Sequence, residues 1–137
     1  MSTTVERITY FALKMDDVPG EGARLLRLLA KHKVNLLAVN AFPRGRGCQV
    51  DLVPEDKERL LALEERLELP LSKQKGAFLL LGPNQAGALL PAFERLARVK
   101  INVTSVQAVT ASKARFGALL WVKAKDYDRA ARALGAT

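Results

Sequence analysis

The feature that most constrains the fold of this chain is an internal repeat. Shifted by 67 positions, segment 11–41 aligns with 78–108 without a gap, matching Phe11 with Phe78, Gly20 with Gly87 and Asn35 with Asn102. Beyond that point the shift becomes 70, matching Gly47 with Gly117, Asp56 with Asp126 and Arg59 with Arg129. The three extra residues fall between two predicted strands, where a hairpin tolerates them. A repeat of this length predicts two copies of one supersecondary unit.

Each copy has the pattern of a strand, a helix, two strands and a second helix. In the first copy, the apolar run 8–14 predicts a strand, and apolar residues at helical spacing predict an amphipathic helix over 20–33. Alternation over 48–53 predicts a half-buried strand. The other elements of this copy are a strand over 36–42, a helix over 56–67 and a short link or fourth strand over 70–75. The second copy repeats the pattern at 77–81, 87–100, 102–109, 115–123 and 126–134.

This order of elements predicts an α+β, ferredoxin-like fold in two tandem copies, with domains at 1–75 and 76–137. Such a unit is an antiparallel sheet in the spatial order 4-1-3-2 with both helices on one face. The second copy lacks the last strand, so its first strand, 77–81, would have a bare edge, and bare apolar edges promote aggregation. We therefore expect the 70–75 link or a second chain to cover it, and the latter would make a homodimer.

The alternation also predicts which side chains face the helices. Val50 and Leu52 point inward because their neighbours are polar, and the alignment carries this register to the even-numbered positions of 118–122. Leu119 and Trp121 then lie on the helix-free face, where an exposed pair would be a partner surface and a second route to a homodimer. A register shifted by one residue would instead place Trp121 in the core.

Charge and cysteine content bound the partners and the compartment. The net charge of +8 lies entirely in the second half: 1–72 holds 11 acidic and 11 basic residues, and 73–137 holds 3 and 11. A solvated basic face and an anionic partner such as nucleic acid are the two interpretations. Neither a signal pattern nor an apolar run near the roughly 20 residues of a membrane span is present. With one cysteine there is no internal disulfide framework, so we expect a cytoplasmic protein.

The sequence gives no sign of catalysis. The one histidine, His32, sits near the end of the first predicted helix and aligns with Val99 in the second copy. Cys48 aligns with Ala118 and is most simply a small core-facing residue. Asp16 and Asp17 are adjacent loop acids, which are usually solvated. Without metal-ligand spacing or a phosphate-cradling motif, we expect a non-enzyme that has no metal or cofactor.

The loop before the first helix of each copy is the stronger feature. Both loops place a glycine where the helix begins, Gly20 in one copy and Gly87 in the other. A helix start exposes unpaired N–H groups and a partial positive charge, and glycine lets a ligand carboxylate approach them. Asn35 and Asn102 follow the two helices, where asparagine caps the turn or holds a polar ligand with its amide.

With these segments the chain resembles the ACT domain family. The resemblance rests on Val18-Pro-Gly-Glu-Gly-Ala-Arg-Leu-Leu followed by Val34-Asn-Leu, and on Gln85-Ala-Gly-Ala-Leu-Leu followed by Ile101-Asn-Val. ACT domains are βαββαβ units that usually sense amino acids, and the chain is similar to short stand-alone tandem-ACT proteins. The resemblance therefore implies a non-catalytic regulatory module that binds an amino acid between paired domains.

Carried over position by position, the resemblance also implies the ligand contacts. They are Asp17, Val18, Pro19, Gly20, Asn35 and Leu36 in the first copy and Asn84, Gln85, Ala86, Gly87, Asn102 and Val103 in the second. Two positions depart from the family pattern: Ala86 replaces a proline and Gly22 replaces a leucine. The departure at Ala86 makes the second site the weaker one.

Two other functions remain open from the sequence. An RNA-binding ferredoxin-like domain such as an RRM would use the basic second half, but it needs aromatic side chains on the open sheet face for base stacking. The predicted register points Phe116 inward, and Ala118 stands where a second stacking aromatic is needed. The third function is a pure assembly module that has the fold but binds no ligand.

Overall fold

The computed structural model describes residues 2–137 of the chain, which form two compact units. The first unit is 9–75, and the second unit is 2–8 together with 76–137. The strands are β1 (Thr4–Asp16), β2 (Leu36–Arg44), β3 (Gly47–Pro54), β4 (Lys75–Pro83), β5 (Ser105–Thr110) and β6 (Arg115–Trp121). The helices are α1 (Glu21–Lys31), α2 (Lys57–Leu67), α3 (Leu90–Arg98) and α4 (Tyr127–Leu134), and a 3-10 turn spans Ala124–Asp126.

The strand order within each unit is the one that the sequence predicts. In the first unit the order is β2-β3-β1, and in the second it is β5-β6-β4-β1; the pairs β1/β3, β2/β3, β4/β6 and β5/β6 are antiparallel. After α2, Leu71 forms one antiparallel bridge to Leu13, and the Ser72 N–H donates to the Ala12 carbonyl at 2.8 Å. The predicted fourth strand over 70–75 is thus a single bridge.

Strand β1 corrects two expectations. It spans 4–16 instead of 8–14, and its residues 4–8 lie beside β4 in the second unit. The Thr4 hydroxyl donates to the Leu81 carbonyl at 3.4 Å, and Val5 packs against the core. The edge of β4 is therefore covered by the start of this same chain, and neither the 70–75 link nor a second chain is needed. Residues 4–8 were not predicted as a strand because most of them are polar. They are polar because only one face of this part of β1 packs against a core.

Each unit has an apolar core between its sheet and its helices. The first core comprises Phe11, Leu13, Leu25, Leu29, Val34, Val50, Leu52, Leu60 and Leu63. The second comprises Phe78, Leu80, Ala92, Leu96, Ile101, Phe116, Ala118, Leu120, Val122, Ala130, Ala131 and Leu134. The register predicted for β3 and β6 is confirmed, because Val50 and Leu52 and the even-numbered positions of 118–122 all lie in these cores.

The other face of β6 corrects a third expectation. Leu119 and Trp121 lie opposite the helix side as predicted, but they are only 8% and 7% exposed and so offer no open partner surface. In β3 the corresponding face buries Asp51 and Val53. A strand that is apolar at every position, as Ala118–Val122 is, is typical of burial on both faces. The prediction of a half-buried strand from the alternation in β3 is therefore wrong, because residues 50–54 are all buried. The polar Asp51 is accommodated there because the Gln49 amide donates a hydrogen bond to it.

Helix α3 begins later than the sequence predicts. Gly87 has a φ of +75°, a left-handed conformation that glycine adopts readily, and the chain turns through 87–89 before the helix starts. Pro91 occupies the first turn of α3, where its missing N–H would have no helical partner. The segment that would have been the first helical turn is therefore loop and borders a groove.

Candidate functional site

The loop between β1 and α1 places a cleft at one end of the first unit. β1 ends at Asp16, and α1 begins at Glu21 behind Gly20, whose φ is +96°. Gly20 is the N-cap and supplies no side-chain cap to the first turn of α1. Opposite this loop stands the hairpin that joins β2 to β3, because Gly47 pairs with both Asp16 and Arg44.

The cleft has a volume of about 770 Å³ and is built from both apolar and charged side chains. Its apolar members come from the end of β1, the inner face of α1 and the segment after α2: Leu13, Met15, Leu25, Leu28, Leu69 and Pro70. Its charged members are Lys14, Asp16, Glu21, Arg24, Arg44 and Arg46. Cys48 and Gln49 complete the lining. A cleft with an apolar floor and a few polar groups is typical of a small-molecule site.

One pair of these charged residues is satisfied internally. The Arg24 guanidinium donates two hydrogen bonds, both 3.0 Å long, to the two carboxylate oxygens of Glu21. The hydrogen bond from Arg24 lowers the pKa of Glu21, and the same bond, together with the charges of Glu21 and Asp16, raises the pKa of Arg24. Glu21 is therefore ionised, and both of its carboxylate oxygens are already hydrogen-bonded to Arg24. Asp16 lies close enough to Arg24 for their charges to attract.

The hairpin arginines have little or no compensating charge. The Arg44 guanidinium donates to the Gln49 side-chain oxygen at 2.6 Å, and the Gln49 amide donates to Asp51 at 2.9 Å. Gln49 is neutral, so the charge of Arg44 stays available to a ligand. Within residues 2–137, Arg46 forms no hydrogen bond or ion pair with another side chain. The hairpin thus presents two cationic groups to the cleft.

The residues predicted to bind a ligand in the first unit do not all come together. Asp17, Val18, Pro19 and Gly20 are exposed and form the rim between Asp16 and Glu21, without lining the cleft. Asn35 and Leu36 lie at the opposite end, because Leu36 pairs with Pro54 while the cleft adjoins Gly47. The eight residues of β3, from Gly47 to Pro54, span about 24 Å. The Asn35 amide donates to the Glu55 carboxylate at 3.1 Å.

In the second unit the predicted residues border an apolar groove of about 640 Å³. Asn84, Gln85 and Gly87 line it together with side chains that include Leu90, Phe93, Val109 and Phe116. The Asn84 amide donates to the Lys113 carbonyl at 3.1 Å, which ties the loop to the β5–β6 hairpin. Ala86 is exposed beside the groove, and Asn102 and Val103 lie outside it. This groove has no charged residue in its lining.

The two arginines of the β2–β3 hairpin were not predicted as site residues. The segment Pro43-Arg-Gly-Arg-Gly47 predicts a turn, but its two arginines, two positions apart, are also a visible signal. Under the shift of 70, Arg44 and Arg46 align with Ala114 and Phe116. The β5–β6 hairpin has two basic residues of its own, Lys113 and Arg115, but neither lines the groove of the second unit. Periodicity could not show that this turn faces the start of α1, because that proximity depends on the pairing of β3 with both β1 and β2.

The other side chains that the sequence singled out do not form a catalytic, nucleotide-binding or metal site among the residues that the structure describes. His32 is the C-cap of α1, and Cys48 is half-buried in the wall of the cleft. Phe78 and Phe116 are 0% and 5% exposed, so neither can stack on a nucleotide base.

Across residues 2–137, no three histidine, cysteine or carboxylate side chains are grouped as a metal would require. No helix in the same range is long and apolar enough to cross a bilayer.

Two basic residues of the second unit serve α3 and α4. Arg129 donates to the Val99 carbonyl at 2.9 Å, and Arg95 donates to the Leu134 carbonyl at 3.4 Å. Each arginine thus neutralises the negative end of the neighbouring helix. Part of the positive charge of the second half is therefore structural, which favours the interpretation as a solvated basic face.

Comparison with known proteins defines the class of fold. No family model matches the chain, and no curated protein matches it by sequence. The structure superposes on protein BT0572 from Bacteroides thetaiotaomicron with a TM-score of 0.76 at 14% identity, covering 97% of this chain and 88% of that one. The regulatory subunit of aspartate kinase from Thermus thermophilus gives 0.63 at 17% identity, covering 98% and 96%. That from Thermus flavus gives 0.57 at 17% identity, covering 98% and 95%.

At these identities the likeness concerns the fold alone. The chain has an α+β architecture with antiparallel strand pairs and four helices, and this architecture matches the regulatory subunits of aspartate kinase. The chain therefore shares the fold of these subunits.

Proposed function

We propose that this chain is a non-catalytic regulatory module of two tandem ACT-like units that binds an amino acid in the cleft of the first unit. The observation that carries the proposal is the lining of that cleft, which combines an apolar floor with side chains of both charges. An amino acid presents the complementary set: a carboxylate, an ammonium group and a side chain. The arginines of the β2–β3 hairpin would hold the carboxylate, Asp16 the ammonium group, and the floor the side chain.

The tandem relation of the units is supported by backbone details that recur at the repeat spacing. Lys33 and Lys100 both have a φ of +58°, although left-handed backbone is uncommon outside glycine. The hydrogen bond from Val34 N to Leu29 O recurs as the bond from Ile101 N to Leu96 O. The ion pair between Arg59 and Asp56 recurs between Arg129 and Asp126.

We assign the ligand to the first unit. The loop of the second unit, with Asn84, Gln85 and Gly87, borders a groove that offers apolar side chains and neutral polar groups but no charge for a carboxylate or an ammonium group. In the first unit the rim 17–20 would close over the ligand. Asn35 and Leu36, at the far end of β3, would not touch the same molecule.

A thermal-shift screen of the twenty amino acids tests the function. Because a ligand that binds only the native state stabilises it by about 2.7 kcal/mol at one hundred times its Kd, we expect at least one amino acid to raise the Tm. Alkylation of Cys48 by N-ethylmaleimide then locates the site, since this single cysteine lines the cleft. The amino acid that raises the Tm should slow the alkylation.

Two outcomes would contradict the proposal. If none of the twenty amino acids raises the Tm, the amino-acid function fails and an assembly module becomes the better description. If one raises the Tm but leaves the alkylation rate unchanged, the cleft is the wrong site. Alkylation in urea, where Cys48 is fully accessible, is the control for a direct effect of the amino acid on the reagent.

We also propose that a second copy of the chain pairs along the edge of β2. This outer strand is nine residues long and exposes apolar side chains, with Leu37 and Val39 at 46% and 49%. A long, exposed apolar edge is a template for another strand. In sedimentation equilibrium we expect a dimer that Val39→Lys converts to a monomer, while Val109→Lys on β5 leaves the dimer intact. A wild-type chain that stays monomeric at high concentration would contradict this.

A further inference from the structure

We infer that the ligand of the first-unit cleft is an acidic amino acid, an α-amino dicarboxylate of the aspartate or glutamate type. This inference rests on the proposed function and narrows it. It comes from the charges that remain in the cleft after its internal pairs are formed, and nothing in the ACT-like fold specifies it.

The lining carries more positive than negative charge. Four cationic side chains, Lys14, Arg24, Arg44 and Arg46, stand against the two carboxylates of Asp16 and Glu21. Arg24 holds both oxygens of Glu21, which removes that pair from the count. What remains is one carboxylate and three cations. Asp16 and the two hairpin guanidinium groups are matched by a ligand with one ammonium group and two anionic groups, while Lys14 is exposed and stays solvated.

The backbone places these groups around one point. Asp16 and Arg44 pair with the same residue, Gly47, from opposite sides of β3. Two strand spacings therefore separate their backbones, which is about 10 Å. Because paired residues share one face of a sheet, both side chains stand on the same face, and Gly47 between them has no side chain, which leaves room there for a ligand of a few carbon atoms. Arg46, in the hairpin beside Gly47, adds the second guanidinium.

Other ligand classes leave groups unmatched. A neutral amino acid has one carboxylate, so one guanidinium would lose water without gaining an anion. A dicarboxylate without an amine would place its negative charge beside Asp16 and repel it. Guanidinium groups bind carboxylates through paired, charge-assisted hydrogen bonds, which favour two carboxylates over an amide and a carboxylate.

Isothermal titration with matched ligands tests the inference. We expect L-glutamate or L-aspartate to bind at least about tenfold more tightly than L-glutamine or L-asparagine at low salt, since a charge-assisted hydrogen bond carries that much affinity. Glutarate and succinate, which lack the amine, should also bind at least about tenfold more weakly than the acidic amino acids.

Two variants and one control variant test which side chains give the preference for an acidic amino acid. Arg46→Gln should weaken glutamate binding about tenfold or more and leave glutamine binding unchanged. Asp16→Asn should weaken glutamate binding but not glutarate binding, because only glutamate carries the ammonium group. Arg66→Gln, at an exposed position of α2 outside the cleft, should change neither. Circular dichroism melts of each variant exclude loss of folding as the cause.

The outcomes separate the inference from the proposed function. If glutamine or another neutral amino acid binds as tightly as glutamate, the inference is overturned and the amino-acid function stands. If glutarate binds as tightly as glutamate, the role given to Asp16 is overturned. If no amino acid binds at all, the proposed function fails and the inference fails with it.

Discussion

Replacing Trp121 by alanine should lower the free energy of unfolding by about 3–5 kcal/mol, the range for removing a large aromatic side chain from a core. Trp121 is only 7% exposed, and its carbonyl accepts hydrogen bonds from the Thr104 N–H at 2.9 Å and the Thr104 hydroxyl at 3.0 Å. The substitution leaves these backbone bonds in place, so the measured loss reports the side chain. Urea unfolding followed by far-ultraviolet circular dichroism measures it without the tryptophan signal.

The matched control is Val109→Ala on the outer strand β5. Val109 is 71% exposed, so its truncation should change the unfolding free energy by less than about 0.5 kcal/mol. A loss below about 1 kcal/mol for Trp121→Ala would mean that this face of β6 is open. In that case the sequence-based expectation of an exposed Leu119–Trp121 pair would be right, and the burial of Trp121 described above would be wrong.

Removing residues 2–8 should unfold the second unit. The deletion takes away the strand beside β4, with the buried Ile8, which contributes about 1.5–3 kcal/mol, and the partly buried Val5, which contributes less. It also removes the hydrogen bonds from Arg7 N to Thr137 O and from Thr137 N to Val5 O, each contributing about 1 kcal/mol. The total approaches the whole stability of a small domain, about 5–15 kcal/mol.

Fluorescence measures this loss directly, because the only tryptophan lies in β6 of the second unit. We expect the truncated chain to show the red-shifted emission of a solvated indole in the absence of denaturant. A chain lacking only Ser2 is the control and should keep native emission. Native emission and an unchanged unfolding midpoint in the longer deletion would show that β4 does not need residues 4–8.

Much of the fold follows from local pattern in the sequence. The repeat paired Phe11 with Phe78 and carried the register of β3 to β6, and the structure confirms both in the helix-side cores. The sequence-based register missed the burial on the second face of β6 because it carried the alternation of β3 across the repeat, although a continuous apolar run is typical of a strand buried on both faces. The strand at 4–8 was missed for a different reason, since three of its five residues are polar and the pattern does not alternate.

The site was less predictable than the fold. Sequence reasoning identified the loop before α1 and the unusual Gly20, and these residues form the rim of the cleft. It also joined Asn35 to the same site, although the length of β3 separates them. The charged groups of the cleft come from β1, α1 and the β2–β3 hairpin, which only strand pairing brings together. No spacing along the chain encodes that proximity.

The division of β1 between Ile8 and Thr9 has a consequence for biosynthesis. As the chain leaves the ribosome, 9–75 emerges before β4 has been made, so the first unit has all of its own residues available early. Residues 4–8 emerge before the first unit, yet their partner strand β4 is synthesised after all of it. These residues must therefore wait, unpaired with β4, until the second unit is translated.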